Sequence, residues 1–197
     1  RSFNLRQLIM LDQLVELDKT FLIFLNNLGS PSWDSLWLLV TNKLTFIPLY
    51  MVLLYLMCRP LNKKGIAVLI ITIGLMILFT DQVTNLFKLS FERLRPCSQE
   101  GVFELIRQGK CRATYGFFSG HSSNSMATAI FVGLMLRPLY NKLITILIVW
   151  SITVAYSRIY LGLHYPLDVL CGLSFGVFSG YLYYRVYQEL SARFVQV

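Results

Sequence analysis

The sequence predicts an all-α membrane protein, a polytopic bundle of transmembrane helices. The chain is 55% hydrophobic and only 14% charged, with a mean hydropathy of +0.58. Charged residues make up about a quarter of an ordinary soluble domain. The 197 residues contain no Gly/Ser-rich linker and no repeat of fixed period. Residues 1–197 are therefore predicted to form a single membrane-embedded domain.

Five apolar stretches are predicted to span the membrane. The uncharged cores of several are shorter than the ~20 residues that a bilayer requires, and the shortfall falls mostly at one end of each helix. Charged groups at membrane depth are costly and usually face a cavity or a partner. A polar site is therefore expected at that end. The spans cover residues 33–58, 65–87, 121–136, 142–160 and 165–184, and the intruding residues are Asp81, His121, Arg158 and Asp168.

Residues 1–30 are predicted to form an amphipathic helix that lies in the membrane interface rather than crossing it. Its apolar side chains fall largely on one side of a helix, and Gln7, Gln13 and Glu16 fall elsewhere. Gly29 and Pro31 mark its end. The apolar set is Leu5, Leu8, Ile9, Leu11, Leu14, Val15 and Leu17.

Alternating spans place residues 88–120 and 158–164 on one side of the membrane. Basic clusters such as Arg59, Lys63 and Lys64 lie on the other side, which the positive-inside rule assigns to the cytoplasm. The first side is also rich in basic residues, some of which are better explained as ligands for an anion. Because the basic residues sit in short clusters between apolar runs, the net charge of +8 does not indicate a nucleic-acid partner.

Three cations are predicted to meet at the mouth of the bundle. Lys88 and Arg95 are seven residues apart, so they share a face if the helix continues. Arg158 ends the fourth span. Like charges repel unless an anion joins them, and the arginine fork suits phosphate oxygens. The alternative is that each is an ordinary basic loop residue near the lipid headgroups.

The tripeptide Ser119-Gly120-His121 precedes an apolar run and predicts the start of a helix. Ser119 suits the N-cap, and Gly120 lets the backbone approach a ligand closely. Free N–H groups and the positive end of the helix dipole would face the same basin as the three cations. The alternative is a plain cap beside a polar residue.

His164 and Asp168 are four residues apart, with a proline between them that suits the first turn of a helix. This spacing lets the carboxylate accept a hydrogen bond from one ring nitrogen and leaves the other nitrogen nucleophilic. With His121, the pair can supply both a nucleophile and an acid. A zinc site is the competing use, but Cys58 and Cys171 are poorly placed as further ligands.

These segments together resemble the signature of the type 2 phosphatidic acid phosphatase (PAP2) superfamily, which also includes vanadium haloperoxidases and glucose-6-phosphatase. The signature reads KxxxxxxRP, PSGH and SRxxxxxHxxxD, and it matches this sequence from Lys88 to Asp168 in order and spacing. Phe118 departs from it, since the family usually has Pro there, and we expect a looser turn or a wider pocket edge. The resemblance implies a PAP2/haloperoxidase-like helical bundle.

The resemblance also implies a role for each matching residue. His164 is the nucleophile that forms a phosphohistidine, Asp168 orients and polarises it, and His121 is the general acid for the leaving alcohol. No metal and no other cofactor is implied. The residues expected to hold the phosphoryl oxygens are Lys88, Arg95, Ser119, Gly120 and Arg158.

The predicted function is that of a membrane lipid phosphatase acting on a phosphate monoester or diphosphate headgroup. Undecaprenyl diphosphate and phosphatidylglycerophosphate are the favoured substrates, and phosphatidic acid and lipid A phosphates remain open. The expected location is the bacterial inner membrane, with the site facing the periplasm or extracytoplasmic side. The alternatives are a lipid phosphotransferase and a non-catalytic protein that binds anionic lipid. Halide oxidation is remote.

Two further pairings are predicted. Cys97 and Cys111 lie on the extracytoplasmic side, where thiols tend to oxidise, and a disulfide between them would add roughly 3 kcal/mol by the chain-entropy model. Two free thiols are the alternative. Lys43 and Asp81 are expected at similar depth on neighbouring spans, where they could form an ion pair.

Overall fold

The computed structural model describes residues 5–107 and 114–194. Within those ranges the chain is helical, and no β-strand is present beyond one isolated bridge between Leu94 and Tyr115. The predicted all-α fold class is confirmed. The α-helices are α1 (Leu5–Asn27), α2 (Pro31–Thr41), α3 (Ile47–Cys58), α4 (Lys63–Phe91), α5 (Gly120–Leu136), α6 (Leu143–Tyr160) and α7 (Pro166–Phe194), with short 3-10 helices at Lys43–Phe46, Pro96–Ser98 and Phe103–Leu105.

In the part of the chain that the structure describes, α4 and α6 are each long and apolar enough to cross a membrane. The first predicted span, residues 33–58, is not one straight helix. Pro31–Thr41 and Lys43–Cys58 pass the same test together but are bent by 63°. The break has a local cause, because the Asn42 side chain caps Leu44 N–H and a proline stands in the first turn of α3. Helices α5 and α7 coincide with the two remaining predicted spans but do not meet this criterion of length and composition, so their crossing of the membrane stays a prediction.

Helices α5 and α7 pack through a stripe of glycines on α7. Gly172, Gly176 and Gly180 recur at every fourth position and so share one face. A β-carbon at each would lie only 2.5–2.6 Å from a carbonyl oxygen of α5 or its cap. Small residues at this spacing let two membrane helices approach closely. The three oxygens belong to Ser119, Ser123 and Ala127.

Helix α1 contacts the bundle through a narrow and partly polar stripe. Asp18, Leu22 and Asn26 are spaced by four residues and are buried. The Asn26 amide donates to the carbonyl oxygens of Ile159 (3.2 Å) and Tyr160 (2.7 Å) at the end of α6. Outward-facing apolar side chains suit contact with lipid, although the interfacial placement of α1 stays a prediction. The exposed set is Ile9, Met10, Leu11, Leu14, Val15, Leu17, Phe21 and Phe24.

The segment after α4 folds back over one end of the bundle. Helix α4 ends at Phe91, and Glu92 takes a left-handed φ of 46°. Lys88 and Arg95 therefore do not share one helix, contrary to one reading of the sequence, because the residue before a proline is driven towards extended backbone. Arg95 N–H donates to Thr114 O (3.0 Å), and Gly116 N–H donates to Arg93 O (2.8 Å). These bonds hold the two ends of the loop together.

Cys97 in this loop is buried and disulfide-bonded. Its predicted partner, Cys111, lies outside the described residues, so the pairing itself stays a prediction. Cys58 and Cys171 are free thiols in the helices.

Candidate active site

His164 lies in the turn between α6 and α7 and is only 1% exposed. Its Nδ1 atom lies 3.4 Å from Oδ2 of Asp168, which is fully buried in the first turn of α7. No hydrogen bond to Nδ1 with good geometry is present among the described residues, and such contacts in unliganded sites commonly tighten when substrate binds. The spacing places the carboxylate beside Nδ1, which leaves Nε2 for a substrate.

The electrostatic surroundings of His164 favour the neutral ring. Burial, followed by the positive charges of Arg95, Arg158 and Lys88, holds the pKa of His164 well below its usual range. A neutral imidazole keeps the lone pair that a nucleophile needs. All three predicted cations therefore lie close enough to His164 for their charges to act on this ring.

Lys88, Arg95 and Arg158 have no carboxylate within 4.0 Å in the described part of the chain. Arg158 is buried, and its Nη1 donates to the Thr41 hydroxyl while its Nε has no described partner. Arg95 uses Nε to donate to the carbonyl oxygen of Tyr115 at 3.1 Å. Clustered cations without counterions are unfavourable, so this arrangement is suited to binding an anion.

Helix α5 begins as predicted. Ser119 is the N-cap, and its Oγ accepts a hydrogen bond from Ser122 N–H at 3.4 Å. A β-carbon at Gly120 would lie 3.8 Å from Nζ of Lys88, so the positive end of the helix faces the cation cluster. Ser119 N–H donates to the Asp168 carbonyl oxygen at 2.9 Å. The first turns of α5 and α7 are thereby fixed to each other.

His121 stands in the first turn of α5 and is half-buried. It interacts electrostatically with Arg158, His164 and Arg95, which places it at the same site as the nucleophile candidate. It also lines a neighbouring cavity. The structure thus brings together all eight residues predicted for catalysis and phosphate binding, and their roles stay proposals.

Sequence reasoning missed a chain of ion pairs behind Asp168. Arg93 Nη1 donates to Asp168 Oδ1 at 2.7 Å, and Arg93 Nη2 donates to Asp18 Oδ2 at 2.6 Å. Asp18 in turn accepts from Leu167 N–H at 2.9 Å through Oδ1, and the Arg93 guanidinium lies 4.1 Å from the centroid of the Tyr165 ring. We call Asp18, Arg93 and Asp168 the carboxylate clamp. It fixes the acid that faces His164 and joins α1 to the site.

The clamp leaves the second oxygen of Asp168 beside the histidine. Oδ2 accepts from Tyr165 N–H at 3.0 Å. A β-carbon on Gly116 would lie 3.3 Å from that oxygen, 3.1 Å from Arg95 Cγ and 3.6 Å from His164 Nδ1. Gly116, which the sequence did not single out, therefore lets the returning loop close tightly over the pair.

Arg107, one of the basic residues on this side, serves a structural contact instead of the anion site. Its Nη2 donates to both carboxylate oxygens of Asp34, at 2.7 and 2.8 Å. The Tyr160 hydroxyl donates to Asp34 Oδ1 at 2.8 Å. This group links α2 to the end of α6.

Phe118, at the position where the signature usually has Pro, is buried against two helices. Its ring lies 5.2 Å from those of Phe87 on α4 and Phe175 on α7. The Ser119 cap that follows is intact, so the expected loosening of the turn is not seen at the cap. The side chain fills space between helices.

A cavity of about 370 Å³ adjoins the site on the His121 side. It lies between the broken segment α2–α3 and helices α4 and α5, and apolar side chains such as Met76 and Phe131 form most of its wall. The cavity provides apolar room next to the cation cluster, as the chains of a lipid require.

The predicted Lys43–Asp81 ion pair is wrong. Both residues line the cavity, which fits their predicted depth, but their charged groups are not within 4.0 Å. Asp81 Oδ1 accepts instead from Asn124 Nδ2 at 2.6 Å. Lys43 sits in the 3-10 turn at the helix break between α2 and α3.

The described residues contain no group of three or more His, Cys, Asp or Glu side chains that could hold a metal ion. The competing zinc interpretation therefore gains no support from them. Independence from metals stays a prediction.

Comparison with known proteins agrees with this geometry. The family model of the PAP2 superfamily matches residues 66–192. A lipid A 4'-phosphatase of Bacteroides thetaiotaomicron is 34% identical over 93% of this chain and 83% of its own length, and one of Porphyromonas gingivalis is 28% identical over 94% and 79%. The crystal structure of a transmembrane PAP2-type phosphatidylglycerolphosphate phosphatase from Bacillus subtilis superposes with a TM-score of 0.73 at 20% identity, covering 90% of this chain and 88% of that one.

The chain therefore belongs to the PAP2 superfamily and is an integral membrane lipid phosphatase. The resemblance drawn from the three sequence blocks is confirmed.

Proposed function

We propose that this enzyme hydrolyses the phosphate monoester of a phosphorylated amino-sugar lipid, the 4'-phosphate of lipid A, through a phosphohistidine at His164. The observation that carries the phosphatase chemistry is the buried His164, whose Nδ1 lies 3.4 Å from Asp168 and whose pKa is lowered by burial and by the charges of three cations without carboxylate partners. The substrate class rests on the 34% identity to a lipid A 4'-phosphatase across nearly the whole chain. This choice replaces the two substrates favoured from sequence.

In the first half-reaction, the lone pair of His164 Nε2 attacks phosphorus and the bond from phosphorus to the sugar oxygen breaks. His121 gives its proton to that oxygen, which leaves as an alcohol. Asp168 stabilises the positive charge that develops on the ring of His164. Lys88, Arg95 and Arg158, together with the N-terminus of α5, hold the three equatorial oxygens.

In the second half-reaction, water attacks the phosphohistidine. His121, now neutral, takes a proton from that water, and the bond between nitrogen and phosphorus breaks. Inorganic phosphate leaves and His164 returns to its neutral form. Each histidine therefore ends the cycle in the state in which it began.

The adjoining cavity supports a lipid rather than a soluble substrate. Its wall runs from His121 along α5 to Phe131 and Val132 and is mostly apolar. A headgroup phosphate in the cation cluster would leave the acyl chains free to extend along this wall into lipid. We further propose that residues 1–197 act as one domain and that the site opens on the periplasmic face of the bacterial inner membrane.

The test is release of inorganic phosphate from a panel of lipids by the purified protein in detergent. We expect turnover of lipid A carrying the 4'-phosphate to exceed that of undecaprenyl diphosphate, phosphatidylglycerophosphate and phosphatidic acid. A variant His164→Asn should release none, and Thr153→Val on the exposed face of α6 serves as the matched control. Turnover of phosphatidylglycerophosphate alone would overturn the substrate class but leave the chemistry in place.

The same panel separates hydrolysis from phosphotransfer. Labelled phosphate should appear as inorganic phosphate in a hydrolase. If the label instead appears on an added lipid acceptor while inorganic phosphate stays at background, the enzyme is a phosphotransferase. Lipid binding without any product would indicate the non-catalytic alternative.

A further inference from the structure

The cavity beside His121 is apolar over most of its wall but is interrupted by a polar pair, Asp81 on α4 and Asn124 on α5. Neither residue belongs to the signature of the superfamily. A carboxylate at this depth is costly unless something compensates it. Asn124 supplies Asp81 with one hydrogen bond and Lys88 with a favourable charge interaction, whereas Lys43 is not at ion-pair distance.

The position of the pair follows from helix geometry. Asp81 precedes Lys88 by seven residues on α4, which is about 10 Å along the axis. Asn124 follows His121 by three residues on α5, about 4.5 Å deeper on a neighbouring part of the same face. The pair thus lies between the phosphate site and the apolar end of the cavity. A substrate whose phosphate lies in the cation cluster would therefore place the group next to that phosphate beside the pair.

The pair is held in one arrangement by its neighbours. The buried Thr80 hydroxyl lies within hydrogen-bond distance of Asn124 Oδ1 and of the carbonyl oxygens of Met76 and Ile77, so it can orient the amide. Asn124 Nδ2 then donates to Asp81 Oδ1 at 2.6 Å. We call Thr80, Asn124 and Asp81 the amide–acid relay.

The relay leaves acceptor capacity on Asp81, which lines the cavity. An ionised carboxylate can accept about four hydrogen bonds, and Asn124 is the one side chain in the described residues that donates to Asp81. A hydroxyl or amide N–H of a bound ligand would satisfy the remaining capacity. A hydrocarbon chain placed there would leave the carboxylate desolvated without compensation.

We propose that Asp81, oriented by Asn124, is a recognition site for hydrogen-bond donors on the leaving sugar, and that it selects acylated amino-sugar phosphates over polyprenyl diphosphates. A polyprenyl chain has no donor beyond its phosphates, and the carboxylate repels a second phosphate. The hydroxyl groups and the N-acyl amide groups of such a sugar can both donate a hydrogen bond to Asp81. The inference rests on the proposed function, because it assigns the leaving group of the same reaction.

The experiment compares kcat/KM of purified wild type and Asp81→Leu on three substrates. These are lipid A with its 4'-phosphate, undecaprenyl diphosphate and a soluble aryl phosphate that fills only the phosphate site. We expect a loss of about 10- to 100-fold on lipid A, as for one hydrogen bond to a charged group. Undecaprenyl diphosphate turnover should stay constant or rise, and aryl phosphate turnover should stay within about twofold of wild type.

Two further variants sharpen the result. Asp81→Asn keeps an acceptor oxygen and should lose less on lipid A than Asp81→Leu does. Ile77→Leu alters an apolar wall residue one turn away on the same helix and serves as the matched control for cavity shape. N-acyl glucosamine 4-phosphate and O-acyl glucose 4-phosphate separate the two donor sources, since only the first carries an amide N–H.

The outcomes distinguish failure of the recognition site from failure of the proposed function. Equal losses on all three substrates would make Asp81 structural and overturn the proposal. Unchanged lipid A turnover in Asp81→Leu would overturn the proposal while the proposed function stands. If the wild type hydrolyses undecaprenyl diphosphate and not lipid A, both the substrate class and the recognition site are wrong.

Discussion

The two histidines of the site stand in contrasting surroundings. His164 is 1% exposed, and the acid beside it is fixed from behind by Arg93 and Asp18. His121 is half-buried and opens on a cavity of about 370 Å³. The first environment is set before substrate arrives, whereas the second is completed by the ligand. We infer that the covalent step depends on the fixed side and that selection of the leaving group depends on the open side.

The largest effect is expected from His164→Asn. Loss of the nucleophile should reduce turnover by about 10³-fold or more on lipid and aryl substrates alike. The fold should persist, because asparagine is smaller than the buried histidine and keeps a polar amide in the same turn. Phosphate release measures turnover, and thermal unfolding in detergent checks the fold. Activity within about tenfold of wild type would rule out His164 as the nucleophile.

The carboxylate clamp should come next. Arg93→Gln removes the group that positions Asp168, and we expect kcat to fall about 10- to 100-fold with little change in KM. Asp18→Asn should have a smaller effect in the same direction, and the two changes should not be additive, since both act through one chain of contacts.

The matched control for the clamp is Arg107→Gln. Arg107 also pairs with an aspartate on this side of the bundle, but that aspartate, Asp34, is 42% exposed. The kcat of the Arg107→Gln variant should stay within about twofold of wild type. Equal losses in Arg93→Gln and Arg107→Gln would mean that the clamp has no specific link to His164.

Helix packing offers a test that does not involve chemistry. A β-carbon at Gly176 would lie 2.5 Å from Ser123 O, whereas one at Gly74 meets nothing within 4 Å. Gly176→Ala should therefore lower the free energy of unfolding by about 1–3 kcal/mol. Gly74→Ala should leave it unchanged or raise it by up to about 1 kcal/mol. The comparison is made on the melting temperatures of the two variants in detergent. Equal melting temperatures would refute the close packing of α5 on α7.

A smaller shift is expected in the pH profile. After burial, Arg95 is the leading cause that lowers the pKa of His164. Arg95→Met should let that pKa rise, so protonation would inactivate the nucleophile at higher pH than in wild type. The acidic limb of kcat/KM should therefore move towards neutral pH, whatever the overall loss from weaker phosphate binding. The substrate ionises in the same way with both proteins. If the acidic limb does not move in Arg95→Met, that limb reports ionisation of the substrate and not of His164.

Much of this site was predictable because its residues lie in short blocks whose spacing is local. The Ser119 cap and the His164–Asp168 pair depend on positions a few residues apart. The cation cluster depends on residues that lie at helix ends. The role of Arg93 was not predicted, because Arg95, two residues later, is the arginine that matches the signature. Asp18 lies 150 positions from Asp168, and nothing in the sequence fixes the approach of α1. The one feature of the sequence that indicated a role for Asp18 is its position on the same face of α1 as Leu22 and Asn26.

The two errors have different causes. Helix α4 already ends at Phe91, where Glu92 takes a left-handed φ, and Pro96 then keeps Arg95 extended. Lys43 and Asp81 line the same cavity, but pairing also depends on the rotation of each helix about its axis. That rotation is set by packing of the whole bundle. Asn124 therefore became the partner of Asp81.

The most direct test of the central claim is to trap the covalent intermediate. His121→Gln should react with an aryl phosphate, whose leaving group needs little protonation, but should hydrolyse the intermediate slowly because no base activates water. We expect a burst of about one phenolate per enzyme, with phosphate found by mass spectrometry on His164. Phosphate on another residue, or steady turnover without any phosphoenzyme, would contradict the division of labour between the two histidines.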